Sequence, residues 1–202
     1  MGELRQRVND HYNAEHQPSW PNPHPGGGPT EDESEYSRVT DPDRYRIVHA
    51  RVRSWIAVLT SLPGIAFSSD GVLTSAAPGA LPLHVAWPGP FAVRISAGRL
   101  DPAADPIPDC GCDACDFGSD DLLEAIDTAV LELIDGDIVL LDGPGWHARW
   151  FSFEDGRNSV GGGLDFRTVE GWCERLAAGR DVSLPTGTSA LVGRRFLGAA
   201  ES

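Results

Sequence analysis

Lysine is absent from the 202-residue chain, and all 16 basic residues are arginine. Schiff-base chemistry on a lysine and lysine-assisted phosphate binding are therefore excluded. The sequence also lacks the G-x-S-x-G, H-E-x-x-H and G-x-x-x-x-G-K-S/T motifs of common hydrolases, metalloproteases and nucleotide-binding loops. No other catalytic constellation stands out, so the sequence favours a protein that is not an enzyme.

Long apolar runs are missing as well. None approaches the roughly 18 residues that a membrane-spanning helix needs, and the residues that follow Met1 contain no apolar signal region. We therefore expect a cytoplasmic protein. Thiols stay reduced in that compartment, so the four cysteines are not expected to form a disulfide framework.

Positive charge is scarce, since 16 arginines face 30 aspartates and glutamates and the formal net charge is −14. A nucleic-acid partner requires a basic surface that displaces counterions from phosphates. Acidic membrane surfaces repel an acidic chain for the same reason. The charge therefore disfavours nucleic-acid and membrane partners, and the expected partner is another protein.

The composition divides the chain into a tail and a domain. Residues 18–29 are rich in proline and glycine, and the acidic cluster 31–33 follows. Such a segment buries too little apolar surface to offset the entropy of ordering it. We predict a disordered tail over residues 1–35 and a single α+β domain over residues 36–198.

Hydrophobic periodicity predicts three helices and five strands within that domain. The first helix begins with the capping sequence Thr40-Asp41-Pro42-Asp43 and ends at Pro63. The other helices are expected over 119–135 and 165–178, and the strands over 71–75, 81–87, 91–95, 138–141 and 146–153. The order is roughly αβββαββα, which indicates an antiparallel sheet of four to five strands with helices packed on one face.

The most distinctive feature is a cluster of three cysteines, Cys110, Cys112 and Cys115, in the segment 109–116. A short loop that contains Gly111 can turn three sulfurs toward one ion, and zinc is the candidate because it prefers thiolate ligands in a tetrahedron. The fourth ligand would be Cys173, a histidine or a flanking aspartate. The alternative is a loop of reduced thiols that binds no metal.

The acidic neighbours of these cysteines bear on a redox function. A reactive thiol needs a lowered pKa, whereas Asp109, Asp113 and Asp116 oppose formation of a thiolate. A bound cation would reverse that effect, so the sequence favours a metal over thiol-redox chemistry. Cys173 lies on the apolar stripe of the last predicted helix and is expected mainly as a buried core residue.

A second candidate site lies on the predicted hairpin around Pro88. His84 and Arg94 are expected on its outward face, roughly opposite each other, where they could line a site with His147 or Arg149. The alternative explanation is an ordinary solvated sheet face.

Two segments also resemble a known family. The stretch from Tyr36 to Tyr45 and the sequence Cys-Gly-Cys-Asp-Ala-Cys-Asp at 110–116 are similar to an uncharacterised group of actinobacterial proteins classed as a domain of unknown function. The resemblance covers about residues 36–180. It implies a bacterial cytoplasmic protein and carries no activity, cofactor or catalytic residue.

Taken together, the sequence predicts a non-enzymatic protein-interaction or regulatory module whose Cys110–Cys115 loop is structural, with zinc as its candidate metal. The alternative is a small enzyme or thiol-redox protein that uses the same loop or the face of His84 and Arg94.

Overall fold

The computed structural model describes residues 2–24, 26, 32–99, 104–153 and 158–198. Over these ranges the chain forms four α-helices and eight β-strands. The helices are α1 (Gly2–Asn13), α2 (Arg46–Thr60), α3 (Ser119–Ile134) and α4 (Phe166–Ala177); the strands are β1 (Ile65–Phe67), β2 (Val72–Ser75), β3 (Leu83–Ala86), β4 (Arg94–Ala97), β5 (Ile138–Gly143), β6 (Trp146–Phe151), β7 (Ser159–Gly161) and β8 (Ser189–Gly193). Among the described helices, none combines the length and apolar character needed to cross a bilayer.

The strands form two four-stranded sheets in which all neighbours are antiparallel, ordered β1-β2-β3-β4 and β7-β6-β5-β8. The predicted α+β class with antiparallel pairing is confirmed. The strands are divided between two sheets, whereas the sequence analysis expected one. The division arises because the Cys110–Cys115 loop and α3 follow β4, after which β5 starts a new ladder with β6 and β8.

The predicted disordered tail is wrong for Gly2–Asn13, which forms α1 and packs against α2. Leu4, Val8 and Tyr12 are buried in the main core. Residues four apart lie on one face of a helix, so these three side chains form its only apolar stripe. Residues 1, 25 and 27–31 of the predicted tail lie outside the described part of the chain.

A buried ion pair joins the first three helices. Asp127 of α3 receives hydrogen bonds from Arg51 Nε at 2.7 Å and from the Trp55 indole nitrogen at 2.7 Å, both on α2. Arg5 of α1 donates to the same carboxylate at 3.1 Å. Because the carboxylate is almost fully buried and bound from two other helices, it sets how α1, α2 and α3 pack together.

Alternate residues of the second sheet face different layers. Val139 and Leu141 of β5 pack with Cys173 of α4, whereas Ile138 and Phe151 belong to the main core beneath the first three helices. One side of this sheet is thus covered by α4. The other side faces α3 and the first sheet, and this is where the candidate site lies.

Candidate metal centre

The three clustered cysteines come together in the loop between β4 and α3, as the spacing predicted. The sulfurs of Cys110, Cys112 and Cys115 all lie within 4.8 Å of one another. Cys112 is 6 % exposed, and Cys110 donates its S–H to the Cys112 sulfur at 3.0 Å. All three are free thiols. The structure therefore presents three soft ligands at one point.

Asp113 holds the loop from one side. Its carboxylate accepts hydrogen bonds from the Thr40 backbone N–H at 2.7 Å, the Thr40 hydroxyl at 2.8 Å and Arg38 Nε at 2.6 Å. The Thr40 N–H and the Arg38 guanidinium lower the pKa of Asp113 to about 2. The sequence analysis assigned Thr40 to a helix cap. In the structure Asp41 has a left-handed backbone with no side-chain cap, and Thr40 binds the cysteine loop instead.

Asp116 holds the loop from the other side and is 4 % exposed. The indole nitrogen of Trp20 donates to its two oxygens at 2.9 and 3.0 Å, and Arg44 forms an ion pair with it at 2.6 Å. The Arg44 guanidinium also lies over the Trp20 ring, 5.0 Å from its centre. Trp20 belongs to the predicted tail, which therefore docks beside the cysteines rather than extending into solvent.

The distances between the sulfurs fit a zinc ion. A tetrahedral zinc with bonds of about 2.3 Å to sulfur places its ligands about 3.8 Å apart. The three sulfurs lie within 4.8 Å of one another, and the Cys110 and Cys112 sulfurs are 3.0 Å apart, so side-chain rotations that widen this pair bring the group to that spacing. The donor set of three thiols is also the kind that zinc selects over magnesium or calcium.

A fourth protein ligand does not join this group within the described chain. Asp113 and Asp116 are occupied by arginine and backbone or indole donors, and a ring nitrogen of His24 lies 2.9 Å from the Asp113 carbonyl oxygen. Cys173 is fully buried on α4 in the second core, where burial raises the pKa of its thiol to about 11. Cys173 therefore lies in the core, where the apolar stripe placed it.

The three thiols influence one another's ionisation. The hydrogen bond from Cys110 lowers the pKa of Cys112, whereas the interaction with Cys112, followed by desolvation, raises the pKa of Cys115. Charge on one sulfur therefore opposes charge on the next. A cation bound by all three would remove this opposition, as metals do for coordinating thiols.

A cavity of about 940 Å³ adjoins the cysteine loop and extends between α3, the end of β4 and the hairpin of β5 and β6. Cys110 and Cys115 line it, whereas Cys112 does not. Its size falls in the range of small-molecule sites. The residue pattern of the sequence did not indicate this cavity, because its walls come from segments far apart along the chain.

The second predicted site is not assembled. His84 pairs with Ser96 and Arg94 with Ala86, so His84 and Arg94 share a face as expected but are diagonal neighbours, offset by two positions. Neither residue lines the cavity, although His147 and Arg149 do. The cavity therefore does not join His84 and Arg94 to the cysteine loop.

The model of one protein family, described as a family of unknown function (DUF6226), matches residues 9–190. The match confirms the expected domain of unknown function and extends it to include the C-terminal part of α1, from residue 9 onward. The comparisons with curated proteins and with solved structures find no match.

Proposed function

The chain belongs to the family of unknown function DUF6226, and for this member we propose a non-enzymatic interaction or regulatory module that binds Zn²⁺. The thiolates of Cys110, Cys112 and Cys115 hold the ion. The observation that carries the proposal is the convergence of these three sulfurs within 4.8 Å on one short loop.

The surroundings of the loop support a permanent site. Asp113 and Asp116 tie it to Thr40 and Trp20, which lie far away in sequence, so the backbone that carries the thiols is held from several segments. Ligands oriented by such outer contacts lose less freedom on binding a metal. The ion in turn adds folding free energy, because the unfolded chain has no preformed site.

A protein partner is supported by exposed apolar side chains in the segments around the metal loop. Tyr36, Val39 and Phe117 are 51 %, 48 % and 36 % exposed, which is high for large apolar side chains. Phe117 follows Cys115 closely, and the 3₁₀ turn that contains Tyr36 contacts the loop. Exposed apolar side chains gathered in one place are typical of interaction surfaces.

The net charge of −14 supports the absence of nucleic-acid and membrane partners within this proposal. A cytoplasmic location is part of this proposal, because that compartment keeps thiols reduced and therefore able to bind zinc. An arginine-rich, lysine-free composition supports the actinobacterial origin.

A second candidate is an enzyme or a thiol-redox protein that uses the same loop. The cavity favours it, because catalytic zinc sites keep one position open toward substrate. Zinc held by all three thiolates would leave no free thiol in the loop for redox cycling, so the metal content separates the redox candidate from the proposal.

The proposal is tested by the zinc content of protein purified from medium without added zinc and without chelators. We expect about one zinc per chain for the wild type and for the Cys173→Ser variant, and a large loss for Cys112→Ser. Circular dichroism checks that each variant keeps its helices. Fewer than about 0.3 zinc per wild-type chain, or equal zinc in wild type and Cys112→Ser, would overturn the proposal.

A further inference from the structure

The three cysteines leave one position of a tetrahedral ion without a protein ligand in the described chain. Cys112 is buried on the protein side, whereas Cys110 and Cys115 line the cavity. The open position of an ion bound to all three therefore faces the cavity.

The cavity walls have two chemical characters. One part is apolar and includes Ile95, Leu122, Leu140 and Phe151, which suits a short hydrocarbon segment. The other part is acidic, and carboxylates outnumber guanidinium groups among the lining residues. The apolar part admits organic molecules, and the acidic part selects among them by charge.

Three of the acidic residues form no ion pair with any residue in the described part of the chain. Asp116 pairs with Arg44, and Asp142 pairs with Arg99 at 2.6 Å. For Asp105, Asp109 and Asp121, by contrast, the described residues provide no ion pair. The field in the cavity therefore favours a positively charged occupant.

We propose that the cavity binds a small aminothiol, whose sulfur completes the coordination of the metal and whose ammonium group lies beside the carboxylates of Asp109 and Asp121. This inference rests on the proposed metal site. The S–H bond breaks heterolytically, the electron pair on sulfur binds the metal, and the proton leaves to solvent. Four thiolates around zinc form a common and stable donor set.

The experiment uses full-length protein loaded with Co²⁺, whose visible absorption reports the number of sulfur ligands. The probes are cysteamine and 3-mercaptopropionate, which share a thiol and a similar length but carry opposite charges. We expect cysteamine to change the spectrum at a concentration at least about tenfold below that of 3-mercaptopropionate. Desalting and metal analysis confirm that neither thiol has removed the metal.

Two neighbouring aspartates provide a matched pair of variants. Asp121 lines the cavity, whereas Asp120 is equally exposed on the first turn of α3 but does not. We expect Asp121→Asn to reduce the preference for cysteamine several-fold and Asp120→Asn to leave it unchanged.

The outcomes separate this inference from the proposed function. Bound Co²⁺ with no spectral response to cysteamine, or with equal affinity for both thiols, overturns the inference and leaves the metal site intact. An equal effect of Asp120→Asn and Asp121→Asn also overturns it, because the preference would then reflect the charge of the whole protein. Failure to bind Co²⁺ overturns the metal site and the inference together.

Discussion

Asp116 carries more of the site than its position beside a cysteine indicates. The side chain is 4 % exposed. Its carboxylate accepts hydrogen bonds from the Trp20 indole and the Gly118 N–H and forms an ion pair with Arg44. A buried carboxylate is tolerated only when its oxygens are paired and hydrogen-bonded. The cysteine loop and the segment around Trp20 therefore share one electrostatic anchor.

Replacing that anchor should destabilise the protein. We expect Asp116→Asn to lower the free energy of unfolding by about 2 kcal/mol, since Arg44 loses its ion pair and is left partly buried. Asp120→Asn, at an exposed site in the first turn of α3, should change it by less than about 0.5 kcal/mol. Urea denaturation measures both, and equal stability of the two variants would contradict the anchor.

At the scale of elements, α1 is part of the main core rather than an appendage. Val8 is fully buried, and the Arg51 guanidinium of α2 lies over the Tyr12 ring, 5.4 Å from its centre. Arg5 also reaches the buried Asp127 carboxylate. Three kinds of contact, apolar, cation–π and ionic, therefore hold this helix to the core.

Shortening one side chain tests that assignment. Val8→Ala removes two methyl groups from a closed site and should cost about 2 kcal/mol of unfolding free energy. Asn13→Ala, at the exposed end of the same helix, is the control. Thermal and urea unfolding measure the difference; a Val8→Ala variant as stable as the control would show that α1 adds nothing to the core.

Helices and strands were predicted well where their own hydrophobic periodicity was strong. The helices α3 and α4 have dense apolar stripes and lie where the periodicity placed them. Helix α1 has only three buried apolar side chains, and because the rest of its sequence is polar, the helical periodicity was not recognised. Strands β1 and β7 have three residues each, too few for alternation to be recognised.

At the scale of the whole molecule, the site consists of a local part and a distant part. The three cysteines lie within six positions, so their spacing alone predicted that they converge. Thr40 contacts Asp113, which is 73 positions away in the sequence, and Trp20 contacts Asp116, which is 96 positions away. Both contacts therefore depend on tertiary packing. The cavity likewise exists only because two sheets and α3 meet, and no sequence pattern marks it.

The central claim is that three thiolates of this loop bind zinc and that no fourth cysteine takes part. X-ray absorption at the zinc edge tests it most directly, on protein purified without added thiols. For protein from which small thiols have been removed by desalting, the account predicts three sulfur neighbours at about 2.3 Å and one nitrogen or oxygen neighbour at about 2.0–2.1 Å. Four sulfur neighbours, or a shell without sulfur, would contradict it.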